Sequence, residues 1–144
     1  MTPQEIENLL IDKIKALEDD NKQKLFDRVT NMTSSEYEEM FSDDDNAVAF
    51  VGFVEDKYTG SKPRLIINEI YQVIVAVRKR GGDTYGKPHT LCTSVRDLIH
   101  GQIWDNYDIT PFEYTGRQLI EYKGEIVAYA MNFSLNNILH VPTP

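Results

Sequence analysis

The chain has 144 residues, of which 41% are hydrophobic and 10% aromatic, so it fits one domain with its own core and is not disordered by composition. The net charge of −8 argues against a protein whose main function is to bind DNA phosphates, because such binding relies on clustered Lys and Arg. The single cysteine, Cys92, excludes an intramolecular disulfide and indicates a reducing cytosol.

The first predicted element is a helix at the start of the chain. Thr2 and Glu5 have the spacing of a capping box, and Pro3 suits the first helical position. Apolar residues then recur on one stripe of this helix, at Ile6, Leu9, Leu10, Ile14 and Leu17. A short strand is predicted to follow at about Leu25–Thr30.

Residues 31–46 predict a long acidic loop. Its candidate functional residues are Glu36, Glu38, Glu39, Asp43, Asp44 and Asp45. The segment lacks the spaced ligands and the glycine of an EF-hand, which favours a solvated loop over a cation site. A further hypothesis is that these carboxylates face a channel, where they would repel DNA in transit.

Two long strands are expected next. The nearly continuous apolar run Ala47–Glu55 is typical of a strand covered on both faces. Lys57–Pro63 predicts a turn, and Leu65–Lys79 predicts a long strand with alternating faces. These strands are expected to pair as a hairpin.

The second half of the chain predicts a helix and a closing hairpin. The helix is expected at about Pro88–His100 and should stop at Gly101. Two strands at Arg117–Tyr122 and Glu125–Leu135 should form the hairpin, before a C-terminal tail at 136–144. The prediction is therefore one α+β domain over residues 1–135, with a mostly antiparallel or mixed sheet of four to five strands and two helices packed on one face.

No catalytic, metal or cofactor site is predicted. His89 and His100 lie about 16 Å apart along their helix, so they cannot share a metal there. Cys92 falls beside the apolar stripe and is expected to be a buried thiol rather than a nucleophile. The glycine-containing loop before the helix sits where a phosphate loop would, but Lys87 is followed by Pro88 instead of Ser or Thr.

Some residues outside the regular patterns are candidates for contacts with another chain. They are Tyr58, Arg78, Arg80, Tyr85, Trp104, Tyr107 and Phe112. Aromatic residues and Arg are enriched at interfaces, although local packing explains the aromatic ones equally well. Arg78 and Arg80, with Lys79 and Lys87, form a basic cluster that would suit an acidic patch on a neighbouring copy or a solvated strand end.

Several patterns spread along the chain carry a family resemblance. They are the opening helix at Ile6–Lys15, the strands at Ala47–Gly52 and Gln72–Arg78, the helical segment Val95–Leu98, and the hairpin at Tyr122–Glu125 that leads to Tyr129–Phe133. Together they resemble the tail-terminator, or tail-completion, proteins of long-tailed phages, including those of Mu-like prophage tail modules and the lambda-type minor tail protein U. Residues 36–45 and 136–144 are not covered by this resemblance.

The resemblance implies a structural protein without enzymatic activity or cofactor. Such proteins form a ring, expected to be a hexamer, that ends growth of the tail tube and offers a docking face to neck and head-completion proteins. The expected partners are therefore other copies, the tube protein, the neck proteins and the tail sheath, with DNA only in transit.

The expected location is the virion tail, assembled in the host bacterial cytoplasm. No apolar run approaches the ~20 residues that cross a bilayer, and the start of the chain lacks the features of a signal peptide. The alternatives left open are another neck or head–tail completion protein, a small bacterial protein-binding module, and a small enzyme. Ring formation would separate the tail role from a monomeric or dimeric module.

Overall fold

The computed structural model describes residues 2–32, 46–59, 65–78, 86–102, 111–123 and 126–140. In chain order the elements are α1 (Pro3–Lys15), β1 (Arg28–Asn31), β2 (Ala47–Thr59), β3 (Leu65–Arg78), α2 (Gly86–Ile99), β4 (Phe112–Lys123) and β5 (Ile126–His140). Within these ranges the strands form one sheet in the order β1-β2-β3-β5-β4. β1 and β2 are parallel, and the other neighbours are antiparallel. The predicted α+β class and element order are confirmed.

Helix α1 begins where the sequence predicts. The Thr2 hydroxyl accepts the backbone N–H of Glu5 at 3.2 Å and donates to the Glu5 carboxylate at 3.3 Å, and Pro3 occupies the first turn. This cap supplies a partner to one of the free N–H groups of the first turn. The buried residues of the helix are Ile6, Leu9, Leu10, Ile11 and Ile14, which include most of the predicted stripe.

Both helices pack on the same face of the sheet, as predicted. Tyr71, Val73 and Val75 of β3 point into one apolar cluster with buried side chains of α1 and α2. The opposite face carries a smaller cluster, whose buried members are Val48, Phe50, Ile74, Ala76, Ala128 and Ala130. The alternation of side chains along β2 and β3 therefore explains why these strands are apolar on both faces.

Helix α2 confirms the predicted stop signal and the predicted place of the cysteine. Gly101 follows the helix with a φ of +70°, a conformation that glycine adopts readily. Cys92 is fully buried beside Leu91 and Val95. Burial raises the pKa of its thiol, and the nearby Arg117 guanidinium acts in the opposite direction.

The strand bounds in the first half of the chain differ from the prediction in two places. β1 begins at Arg28 rather than near Leu25, because the preceding residues join other segments. The Leu25 N–H donates to the Leu17 carbonyl, and the Asp27 carboxylate accepts the N–H groups of Asn46 and Ala47. The predicted turn from Lys57 is also wrong in its first three residues. β2 continues to Thr59 because Lys57, Tyr58 and Thr59 pair with Asn68, Ile67 and Ile66 of β3.

The closing hairpin is longer at both ends than predicted. β4 begins at Phe112, which is 1% exposed and packs edge-on against Tyr71 at 5.9 Å between ring centroids. β5 continues to His140, since residues 138–140 pair with residues 65–67 of β3. Residues 136–140 therefore belong to the sheet, and the predicted tail at 136–144 was placed too early.

The sheet has a part that extends beyond the helix layer. Among the residues whose burial the structure describes, the last buried ones toward this end are Tyr71 on β3 and Leu135 on β5, and Phe53 on β2, which pairs with Tyr71, is half-buried. We call residues 54–59, 65–70 and 136–140 the arm. In the arm, every residue from Val54 to Tyr58 is exposed. β1 pairs only with residues 48–51, so within the described residues the outer edge of β2 has no partner strand along the arm.

Candidate interaction surfaces

The structure describes three of the seven residues predicted to contact another chain. Tyr58 is 69% exposed on the arm. Arg78 is half-buried at the other end of β3, where its N–H donates to the Asn46 carbonyl. Phe112 is wrong as an interface residue because it belongs to the core.

The other candidates lie outside the described residues. They are Arg80, Tyr85, Trp104, Tyr107 and the acidic residues Glu36, Glu38, Glu39, Asp43, Asp44 and Asp45. Their proposed contacts stay predictions.

Tyr58 and Arg78 do not form one surface. Tyr58 pairs with Ile67, and Arg78 lies eleven positions after Ile67, which is about 37 Å of extended strand. The two residues therefore mark opposite ends of the sheet.

The arm combines exposed apolar and acidic side chains. Val54 is 50% exposed and Tyr58 69%. Asp56 pairs with Glu69 in the register of β2 and β3, and alternate residues of a strand share a face, so Asp56, Tyr58 and Glu69 lie on the same side. Within the described part of the chain, exposed Asp56 makes no ion pair, whereas Glu55 lies 3.6 Å from Lys57.

At the base of the arm, the carboxylates of Glu7 and Glu69 accept hydrogen bonds on the helix-covered face. Glu7 of α1 accepts the Phe53 N–H at 2.7 Å and the Asn31 side-chain amide at 3.1 Å, just where β1 ends. Glu69 accepts the Tyr71 hydroxyl at 3.0 Å. Burial is the main cause that raises the pKa of Tyr71, and the negative charge of Glu69 raises it further.

A second surface lies where α2 begins beside β4. Arg117 Nη2 donates to His89 Nδ1 at 2.9 Å, and its guanidinium carbon lies 5.8 Å from the centroid of the Tyr129 ring. Lys87 is exposed one residue into the same helix, whose first turn has no acidic residue. We call Lys87, His89 and Arg117 the basic corner. Among the described residues, neither Lys87 nor Arg117 forms an ion pair with a carboxylate.

A bulge in β4 explains how Arg117 reaches this position. The register shifts between Tyr114 and Gly116, and Gly116 has a φ of +135°. The Thr115 hydroxyl donates to the Asn132 carbonyl at the same place. Because the extra residue reverses the alternation of faces, Arg117 pairs with Met131 and lies on the helix side of the sheet. The sequence patterns did not single out Arg117, and Gly116 within the strand was the available signal.

The described residues contain one notable groove and no metal cluster. The groove is open, measures about 340 Å³, and lies between α1 and β1, with Asn8, Ile11, Asp12, Lys15, Val29, Thr30 and Asn31 around it. No group of three or more His, Cys, Asp or Glu side chains in the described ranges is placed to hold a metal ion. None of the helices in those ranges has the length and apolar character that crossing a bilayer requires.

Comparisons with known proteins found likenesses to chains of solved structures. No family model matches the chain, and no curated protein matches it. A chain in a solved structure of the virion of a native gene transfer agent particle is 10% identical, with a TM-score of 0.48. That likeness covers 76% of this chain and 77% of the other chain.

Proposed function

We propose that this chain is a structural protein of a phage-like virion, without enzymatic activity. In the finer proposal it caps the tail tube as a ring of copies, ends tube growth and presents a docking face to the neck or head. Its partners would then be further copies, the tube protein and neck or sheath proteins. The acidic segment at 31–46 would face the channel through which DNA passes.

The proposal is supported by the sequence resemblance to tail terminators and by the fold that this resemblance implies. A sheet with two helices on one face was expected, and it is present. The helix-covered face is closed by its own core, and its cysteine and aromatic residues are used in packing. The chemistry that remains exposed is suited to contacts with other chains rather than to reaction with a small substrate.

The observation that carries the proposal is the exposed arm. Three strands stay paired beyond Tyr71, and in this segment β2 presents Val54 and Tyr58 to solvent. A three-stranded extension with exposed apolar residues gains stability when another chain covers it. A ring repeats such a contact with each copy and closes it by symmetry.

The test uses the full chain and the tail-tube protein encoded in the same genome. Sedimentation velocity over a range of concentrations, with negative-stain images, should show rings with an open centre. The same preparation added to assembling tube protein should shorten the tubes and leave rings at their ends. The charge-neutralised groove variant Asp12→Asn serves as a control that should behave like the unaltered chain. A monomer at every concentration that leaves tube length unchanged would contradict the proposal.

A further inference from the structure

We propose that the arm of one copy docks on the basic corner of the next copy. This inference rests on the proposed ring, and it names the two surfaces that meet in each contact. Asp56 and Tyr58 on the arm would meet Arg117 and Lys87 on the neighbouring molecule.

The arm offers negative charge next to an exposed aromatic ring. Asp56 and Glu69 lie on one face with Tyr58. Asp56 is exposed and makes no ion pair among the described residues. Its carboxylate is therefore available to a cation on another molecule, and Tyr58 supplies the apolar area that a charge pair alone lacks.

The basic corner offers the complementary charge in a fixed orientation. Arg117 is held by the His89 ring nitrogen on one side and the Tyr129 ring on the other, so little conformational freedom remains for a partner to remove. A guanidinium can bind a carboxylate through two parallel hydrogen bonds and can also stack on an aromatic ring. Lys87 adds a second exposed cation, and the start of α2 adds the positive end of a helix dipole.

The two surfaces cannot meet within one copy. Asp56 is level with Glu69 on β3, whereas Arg117 packs over Tyr129, which is level with Val75. Six residues of extended strand, about 20 Å, separate these levels. The contact must therefore join different copies. Repeated in one direction it is head-to-tail, and such contacts close into a ring when the rotation between copies allows it.

Charge exchange between the two surfaces tests the inference. Asp56→Arg alone places Arg against Arg117 of the next copy, and Arg117→Asp alone places Asp against Asp56. Each should raise the concentration for half-assembly by roughly a hundredfold, because like charges then face each other in every contact. The double variant, and an equal mixture of the two single variants, should assemble again, since each contact then joins opposite charges.

Two kinds of control keep the result interpretable. Glu18→Arg and Lys24→Asp make the same charge changes in an exposed ion pair away from both surfaces, so they should leave assembly unchanged. Lys87→Glu repeats the test at a second exposed cation of the basic corner, and urea unfolding of each variant reports folding separately.

If both single variants form normal rings, the proposed docking contact is wrong, although the proposed ring is supported. Loss of assembly that neither the double variant nor the mixture restores would also overturn the docking contact. If the unaltered chain forms no ring, the proposed function fails, and the docking fails with it.

Discussion

The helix-covered part of the sheet and the arm contain similar residues in different environments. In the helix-covered part, strand residues such as Val75 and Phe133 are fully buried in the apolar cluster that includes side chains of both helices. In the arm the same strands remain paired after a register shift between Phe53 and Glu55, yet Val54 and Tyr58 are exposed. Backbone pairing therefore does not decide where the core of the helix-covered face ends, because the strands stay paired where their side chains are exposed. Side chains beyond that limit are free to serve contacts with other molecules.

The largest effect should come from a direct comparison of one aromatic residue in each part. Phe133→Ala removes a fully buried ring and should lower the free energy of unfolding by about 3–5 kcal/mol. Tyr58→Ala, in the arm, should change it by less than about 0.5 kcal/mol. Urea unfolding at concentrations below assembly measures both. A loss of several kcal/mol in the Tyr58 variant would mean that the arm belongs to the core.

A smaller effect is expected where the two parts meet. Glu7→Ala leaves the Phe53 N–H and the Asn31 amide without their carboxylate partner. The free energy of unfolding should therefore fall by about 2 kcal/mol. Asp12→Ala removes the same charge from an exposed position of the same helix and should lower the free energy of unfolding by about 0.5 kcal/mol or less. Equal losses in the two variants would show that Glu7 acts only through helix charge.

The boundary between the core and the arm should also affect how stability changes at alkaline pH. Burial raises the pKa of Tyr71, so above about pH 10 this residue ionises in the unfolded chain but not in the folded one. The free energy of unfolding should then fall as pH rises, by up to about 1.4 kcal/mol per pH unit. Below that pH the contribution is constant.

Unfolding measured between pH 9 and 11 checks this slope. Tyr71→Phe should lose it, and Tyr58→Phe, altered at an exposed tyrosine, should keep it. An unchanged slope in the Tyr71 variant would assign the alkaline loss to other groups.

The smallest effect is expected at the end of the helix layer. Gly101 has a φ of +70°, and an added Cβ would meet nothing within 4 Å, so any penalty comes from the backbone alone. Gly101→Ala should cost about 1 kcal/mol, and Gly101→Asn less, because asparagine tolerates this conformation better. Equal stability of all three chains would remove glycine as the reason why α2 ends there.

The sequence predicted the elements better than their limits. Apolar periodicity located both helices and the long strands, because side-chain spacing follows directly from helix and strand geometry. It placed a turn at Lys57, since Gly60 and Pro63 follow closely and the local pattern does not show that residues 57–59 pair with Ile66–Asn68. Phe112 was taken for a contact residue because its partner in the core, Tyr71, lies 41 positions earlier.

The candidate surfaces were harder to predict for a related reason. Asp56 and Glu69 come together only through strand register, which the local pattern does not contain. Arg117 depends on one extra residue at the Gly116 bulge, and without it the side chain would lie on the opposite face of the sheet. The family resemblance and the residues outside regular patterns thus predicted contacts with other chains, whereas the arm and the basic corner could be located only from the pairing of the strands.

Disulfide cross-linking between the arm and the basic corner tests the account most directly. The chain with Asp56→Cys and Lys87→Cys has two exposed thiols, while Cys92 stays buried with a raised pKa and exchanges poorly. Mild oxidation should give a ladder on a non-reducing gel that ends at one closed species, and either single variant should give no ladder. A double variant that stays monomeric, or stops at a dimer, would contradict the head-to-tail contact.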